Sequence, residues 1–286
     1  MEIITKFAPF ALFYIMLGIG MSTKLKNFIE ILKNVKFLLI GLTSQIIILP
    51  CIGILFAIFA THDPVLKVGI ILITSMPSAV SSNYITKLAN GNVALSVSLT
   101  AISAILSFIT IPFIFIVVTP MIISEITVLQ DLNFLKMSAG LLLMTTVPVL
   151  IGIFINTNFS IFVEKINKFF SYSSLFLFLF TIIGAWISEW SNVIELYKSI
   201  GFLLLFLTVT ILITVIILAN VFNLNLQNKK TIIIETLIQN GAMAIIVGQL
   251  TLGFGSGYMS VAVVYALLQY KLLCVWWATN KFATNI

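Results

Sequence analysis

The sequence predicts an all-α polytopic membrane protein with nine transmembrane helices in a single transmembrane domain over residues 1–286. Of its 286 residues, 60% are hydrophobic and only 8% are charged, a composition outside the range of soluble domains. The third and eighth helices are interrupted by polar residues. Apolar windows of spanning length place the nine helices near residues 7–21, 37–60, 66–88, 93–119, 134–155, 170–189, 200–221, 229–250 and 258–279.

The lysines predict the orientation in the membrane. All 15 basic residues are lysines that lie mostly between apolar segments, so the net charge of +6 indicates membrane topology rather than a nucleic-acid partner. If the N-terminus is outside, ten lysines fall in cytoplasmic segments and four in external ones. We therefore expect an external N-terminus and a cytoplasmic C-terminus in a plasma membrane, the bacterial inner membrane. The lipid bilayer is an expected partner, and no protein partner is predicted. The connections around 120–133 and 156–169 are expected to be surface loops.

The third helix is interrupted at Pro77, which is followed by hydroxyl and amide side chains. Proline cannot continue a helix normally, and it disfavours helical geometry in the residue before it. We therefore expect a break near 77–82 and a second short helix to about Lys87. A turn at 90–92 should lead into a new helix that begins at Val93.

Oxygen-bearing side chains gather around this break. Ser96 and Thr100 are four residues apart, so both hydroxyls lie on one face of the helix that follows. A face of oxygen ligands opposite a broken helix is how transporters build a small cation site. The alternative is that small hydroxylated residues only allow helices to pack closely.

The eighth helix carries Glu235 within its apolar run, followed by a break at 239–241, where glycine is the permissive residue. The two broken helices lie five crossings apart, so they run in opposite directions. Paired broken helices are typical of inverted-repeat transporters, whose site lies where the breaks meet. We expect a first repeat of four helices over about 7–119 and a second of five over about 134–279. By this count, we expect the first repeat to lack one helix at its N-terminal end.

Glu235 is the only carboxylate well inside a predicted membrane helix. A buried carboxylate needs a cation, a proton or several hydrogen bonds. Sodium is a hard ion that prefers oxygen ligands, as calcium and magnesium do, so Glu235 beside hydroxyl and amide oxygens suits it. The alternative is a protonated acid bonded to neighbouring amides. Gln45 lies at a similar depth and either binds the ion or forms an interhelical hydrogen bond.

Lys271 lies inside the last predicted helix, ten residues before Lys281. At 1.5 Å per residue this is roughly 15 Å, near mid-depth of a core about 30 Å thick. One hypothesis is that Lys271 faces the protein core and supplies positive charge for an anionic substrate, with Gln269 and Tyr270 adding hydrogen bonds. The other is that the helix is shifted or bent, so that Lys271 reaches the cytoplasmic interface.

Three segments, SSNYITKLANGNVALSVSLT, ETLIQNGAMA and GLTSQ, resemble the bile acid:sodium symporter family, and the resemblance covers nearly the whole chain. It implies ten helices in two inverted five-helix repeats, with a core domain of crossed broken helices against a panel domain. The chain resembles family variants that lack the first helix, in agreement with the nine helices above.

Carried over by position, the resemblance implies two sodium ions. The first site would use Ser82, Asn83, Ser96, Thr100 and Glu235. The second would use Gln45, Glu235, Gln239 and the backbone carbonyls of Thr236 and Ile238. The candidate substrate residues are Ser78, Val80, Ser81, Asn240 and Lys271. Here the chain departs from the family pattern, with Ser-Ala-Val at 78–80 and Leu-Leu at 267–268, which argues against bile acid itself as the substrate.

These observations predict a sodium-coupled symporter that imports a small organic anion by alternating access, with no enzymatic activity. The alternative is a proton-coupled or uncoupled organic-anion carrier or exporter of the same fold. An intramembrane enzyme that binds magnesium diphosphate would need aspartate clusters, whereas Asp63 and Asp131 are far apart. Nothing in the sequence indicates the ring of a channel selectivity filter.

Overall fold

The computed structural model describes residues 2–24, 35–59, 61–122, 133–188, 190–252 and 258–283. Asp131 and most of the predicted 120–133 loop lie outside these residues. We number the helices α1 to α11 in chain order: Glu2–Ser22, Val35–Phe59, Pro64–Thr74, Val80–Leu88, Val93–Ile122, Phe134–Asn158, Ser160–Ser188, Trp190–Val221, Leu226–Leu237, Gly241–Leu252 and Tyr258–Ala283. Within the described residues the chain forms helices and no named strand, which confirms the all-α class.

Several helices have the length and hydropathy of membrane spans. Within the described ranges, five segments meet both criteria: Val35–Phe59, Val93–Ile122, Phe134–Asn158, Tyr197–Val221 and Tyr258–Trp276. Two further apolar helices are shorter, Pro9–Ser22 and Pro64–Thr74. The protein is therefore an integral membrane protein, and the count of nine crossings stays a prediction.

The prediction of a surface loop at 156–169 is wrong. Helix α7 begins at Ser160, and only Phe159 separates it from α6. Backbone hydrogen bonds run through this junction, from Phe159 N–H to Ile155 C=O at 2.8 Å and from Val163 N–H to Phe159 C=O at 3.0 Å. The start of α7 carries exposed polar residues such as Glu164, so hydropathy alone does not reveal this helical extension.

Both predicted breaks are present. Helix α3 ends at Thr74 and α4 begins at Val80, so the first break starts slightly earlier than the expected 77–82. Helix α9 ends at Leu237 and α10 begins at Gly241, which matches the second predicted break.

The two breaks pair with each other through their backbones. Ser78 and Gln239 form an isolated antiparallel β-bridge. Ala79 N–H donates to Ile238 C=O at 3.2 Å, and Asn240 N–H donates to Pro77 C=O at 2.9 Å. Backbone groups at bilayer depth must find partners inside the protein. Each break therefore satisfies groups that the other leaves without helical partners.

The turn between α4 and α5 is held by Asn90, whose φ of 55° is left-handed, and by Asn92. The Asn92 side chain accepts from Leu95 N–H at 3.1 Å and caps α5, which begins at Val93 as predicted. The Asn92 backbone N–H also donates to Thr231 Oγ1 at 2.7 Å. This turn therefore fixes α4 and α5 against α9.

Helix α1 packs mainly on α6 and α7, whereas α11 packs on α3, α8 and α10. The α1–α6 contact is close because it is built on glycines. A Cβ atom added to Gly20 would lie 2.1 Å from the Val149 carbonyl oxygen, and one added to Gly152 would lie 2.4 Å from that of Leu17. Small residues allow such close approach of membrane helices.

Gly152→Ala should lower the thermal stability of the purified protein. The added methyl meets backbone atoms of α1 that cannot move aside alone, and such overpacking costs about 1–3 kcal/mol. Gly140→Ala on the same helix is the control, since a Cβ at Gly140 meets nothing within 4 Å. It should be neutral or stabilise by up to ~1 kcal/mol through helix propensity. Equal melting temperatures for the two variants would contradict this packing.

Candidate functional site

Glu235 lies on α9 and is fully buried at 0% exposure. Ser82 and Ser96 each lie 2.5 Å from its Oε1 atom. Ser78 lies 2.6 Å and Thr100 2.9 Å from its Oε2 atom. These hydroxyls come from the first break, from α4 and from α5. Three separate segments therefore converge on one carboxylate.

The cluster contains more oxygen contacts than its hydroxyl protons can serve. Ser96 Oγ lies within hydrogen-bonding distance of Glu235 Oε1 and, at 2.7 Å, of Asn83 Oδ1. Thr100 Oγ1 faces Glu235 Oε2, Asn83 Oδ1 at 3.1 Å and the Ser96 carbonyl at 3.1 Å. Because each hydroxyl has a single proton, some of these oxygen pairs share no hydrogen. A cation among them would compensate their repulsion.

No basic side chain neutralises Glu235 in the part of the chain that the structure describes. The ion pair found there, between Lys24 and Glu164 at 3.7 Å, lies on the surface. A buried carboxylate must then be compensated by its hydrogen bonds, a proton or an external cation. The five residues predicted for the first ion site, Ser82, Asn83, Ser96, Thr100 and Glu235, are brought together by the fold.

A second polar group surrounds Gln45, which lies on a π-helical turn of α2 over Ser44–Ile48 and is 3% exposed. Neither its amide oxygen nor its amide nitrogen has a hydrogen-bond partner among the described residues. Ser44 Oγ and Thr236 Oγ1 are 2.6 Å apart and hold this turn against α9. The buried Gln239 donates through Nε2 to the Thr236 carbonyl, and its Oε1 lacks a partner. These unpaired amide oxygens can accept a cation.

The two backbone carbonyls predicted for the second site already accept hydrogen bonds. Gln239 Nε2 donates to the Thr236 carbonyl, and Ala79 N–H donates to that of Ile238. A carbonyl oxygen has two lone pairs, so each can accept a bond and still face an ion.

Ser78, which is one of the predicted substrate residues, donates to Glu235 and also lies 3.2 Å from Thr100 Oγ1. Position 78 lies within the break itself, and the backbone bridge there turns its hydroxyl toward α9. Ser81 and Val80 start α4 and are partly buried. Ser81 Oγ lies 2.8 Å from Tyr270 Oη on α11.

The remaining two substrate candidates, Asn240 and Lys271, contact different parts of the protein. Asn240 accepts from Met243 N–H at 3.0 Å and caps α10, while its buried Nδ2 has no partner among the described residues. Lys271 is exposed, with Nζ 3.3 Å from Tyr197 Oη and 5.3 Å from the centroid of that ring. Lys271 therefore lies against α8.

Gln269 has a structural role that the sequence analysis did not assign. Its Oε1 accepts from Gln239 N–H at 2.9 Å, and its Nε2 donates to the Gln239 carbonyl at 3.2 Å. Gln269 is 1% exposed, and without it the Gln239 N–H would be buried with no partner, whereas the Gln239 carbonyl also accepts from Gly241 N–H at 3.0 Å. An amide within an apolar helix was the available signal, but its partner on α9–α10 could not be deduced from spacing.

A profile of the sodium bile acid symporter family matches residues 9–196, well over half of the chain. The chain belongs to the sodium bile acid symporter family. The matched range includes the first break and α5, whereas Glu235 lies beyond it.

Comparison with individual proteins also finds sodium-dependent transporters. The chain is 36% identical over 99 residues to the uncharacterized sodium-dependent transporter YocS of Bacillus subtilis, covering 34% of the chain and 30% of that protein. It is 31% identical over 156 residues to the probable sodium/metabolite cotransporter BASS1, chloroplastic, of Arabidopsis thaliana, covering 54% and 36%. It is 25% identical over 142 residues to the human ileal sodium/bile acid cotransporter, covering 50% and 40%.

The chain thus spans about a third of the length of the curated relatives it matches. All three names describe sodium-dependent transport or cotransport with sodium, and none describes an enzyme.

Gln269→Leu should destabilise the protein by about 1–3 kcal/mol, because it leaves the Gln239 N–H buried and unpaired. It should also weaken sodium stabilisation, because Gln239 loses its support from α11. Leu268→Met on the same helix is the control, since a volume-conserving swap of a buried residue costs less than about 1.5 kcal/mol. Thermal unfolding with and without sodium measures both effects. If both variants behave alike, Gln269 does not support the break.

Proposed function

We propose that the protein is a sodium-coupled symporter that imports a small organic anion by alternating access. The main support for this proposal is the buried Glu235 carboxylate, which faces hydroxyls from three segments and has no basic partner among the described residues. The names of the relatives support the use of sodium. A hard monovalent cation with oxygen ligands fits this chemistry.

The proposal includes two sodium sites. At the first site, the ion would lie between oxygen atoms that are close together but share no proton. These oxygens belong to Ser82, Asn83, Ser96, Thr100 and Glu235. At the second, it would satisfy the unpaired amide oxygens of Gln45 and Gln239, together with Glu235 and the carbonyls of Thr236 and Ile238. Both ions would share one carboxylate, so that the two binding events are electrostatically linked.

We further propose nine crossings arranged as inverted repeats over about 7–119 and 134–279. The antiparallel bridge between the breaks and their opposite places in the chain support this arrangement. Helices α1, α6 and α7 would form the panel, and the remaining helices would form the core. The N-terminus would be external and the C-terminus cytoplasmic, in a bacterial inner membrane. Movement of the core against the panel would expose the breaks to each side in turn.

The substrate would bind beside the breaks. The unpaired Nδ2 of Asn240 could donate a hydrogen bond to a carboxylate. Ser81 and Val80 lie at the start of α4, where the positive end of a helix dipole favours an anion. Lys271 would contribute only if its ammonium, now beside Tyr197, faces the aqueous path of the substrate.

The alternative is coupling to protons, with Glu235 as the titrating group, or uncoupled transport or export. Complete burial opposes the ionised form of Glu235, whereas the four hydroxyls that donate to its oxygens favour that form. Uptake at fixed pH with and without sodium separates these possibilities, because a proton-coupled carrier should not respond to sodium.

Sodium should raise the melting temperature of the purified protein, and Glu235→Ala should remove that rise. Saturation at 100 times the dissociation constant stabilises by about 2.7 kcal/mol, and this term is lost with the shared ligand. Glu195→Ala is the control, because that carboxylate is exposed on α8. Potassium should not substitute for sodium. A wild-type sodium response in Glu235→Ala would show that Glu235 is not a ligand.

The two sites should respond to different mutations. Asn83→Ala and Thr100→Ala should weaken the first sodium-binding phase, whereas Gln45→Ala and Gln239→Ala should weaken the second. Ser98→Ala serves as the control, because Ser98 is buried on α5 and, among the described residues, donates only to the Ala94 carbonyl, at 2.9 Å. Sodium titrations followed by calorimetry provide the measurement. Identical behaviour of all four ligand variants would argue against two distinct sites.

A further inference from the structure

A small cavity lies between α2, the first break and α5, next to Gln45. Its lining includes Ser75 and Pro77 from the break and Ser103, Thr110 and Ile114 from α5. It has room for roughly one water molecule. An organic anion could not enter a space of this size, whereas a single dehydrated ion or a water molecule could.

The polar groups of this cavity suit a cation. Gln45 is buried and lacks any partner among the described residues. Ser75 donates its hydroxyl proton to the Ile71 carbonyl at 2.6 Å, and Ser103 donates to the Thr100 carbonyl at 3.2 Å. Both hydroxyl oxygens therefore keep lone pairs and have no proton left to donate.

The backbone around the cavity also favours a cation. The cavity adjoins the C-terminal end of α3, which is the negative end of the helix dipole. The carbonyls of Ile71, Leu72 and Ile73 there accept from the N–H groups of Ser75 and Met76. Two π-helical turns, Ser44–Ile48 of α2 and Ile114–Val118 of α5, contribute residues to its wall. Such turns are frequent at functional sites. The cavity is partly open, and its lining residues Ile46 and Thr110 are partly exposed.

We propose that this cavity is the passage through which sodium reaches Gln45 and the second of the two proposed ion positions. The inference rests on the proposed function, because it requires that Gln45 receives an ion. It adds a route and two lining hydroxyls, Ser75 and Ser103, which belong to neither proposed ligand set. Sodium would exchange water for these oxygens as it leaves solvent.

The test uses a cysteine in the cavity wall and silver ion as a thiol-reactive monovalent probe. The two native cysteines are first replaced, Cys51→Ser and Cys274→Ser. Ser103→Cys then places a thiol at the cavity, and Ser107→Cys is the matched control. Ser107 lies one turn further along α5 and is also buried, but it faces Thr145 at 3.1 Å and does not line the cavity.

Silver nitrate is added in chloride-free buffer, the reaction is stopped with chloride, and free thiols are counted with maleimide after unfolding. Ser103→Cys should react about tenfold faster than Ser107→Cys, the ratio for ~1.4 kcal/mol less local opening free energy. Sodium nitrate should slow the reaction at position 103, and potassium nitrate should not. Equal reactivity at both positions, or no effect of sodium at position 103, would overturn the passage.

Sodium stabilisation of each cysteine variant is measured in parallel. If sodium stabilises the Ser103→Cys protein but its thiol stays unreactive to silver, the passage is wrong and the proposed function stands. If sodium stabilises neither the variants nor the parent protein, the proposed function itself fails. A Ser103→Leu variant gives a second readout. An obstructed passage should slow sodium association and dissociation by the same factor and leave the dissociation constant unchanged.

Discussion

Burying the Glu235 carboxylate between apolar helices is costly, since an ionised group removed from water loses several kcal/mol of solvation unless it is paired or hydrogen-bonded. The fold meets this cost with hydroxyls delivered by the first break, by α4 and by α5. Those hydroxyls can only converge if the helix from Pro64 is interrupted before Val80. The break in one half of the chain therefore depends on the charge in the other half.

The breaks impose a second constraint, because interrupted helices expose backbone groups at a depth where water is scarce. The reciprocal bonds between 77–79 and 238–240 satisfy some of these groups, and Gln269 satisfies both backbone groups of Gln239. This arrangement is rigid where the backbone is paired. The side-chain amide of Gln45 and the amide oxygen of Gln239 remain without hydrogen-bond partners among the described residues. Their oxygens are therefore available to bind an ion at the second proposed site.

Much of this could be predicted from the sequence, because breaks and buried charges leave local signals. Pro77, the turn near Asn90 and the glycine at 241 marked the interruptions to within a few residues. Other features depend on packing between distant segments. The orientation of Ser78 follows from a bridge to α9–α10, and the position of Lys271 beside Tyr197 follows from how α11 lies on α8. Hydropathy also missed the start of α7, where charged residues such as Glu164 and Lys165 lie within the helix.

Equilibrium binding of radioactive sodium to the purified wild-type protein would show whether the oxygen cluster around Glu235 binds sodium. Binding should saturate at two ions per chain and persist in a large excess of potassium, because the closely spaced oxygens of the cluster suit a small ion. A coordinated cation would relieve the oxygen contacts that share no proton. Absence of saturable sodium binding, or full displacement by equimolar potassium, would show that the cluster is not a sodium site.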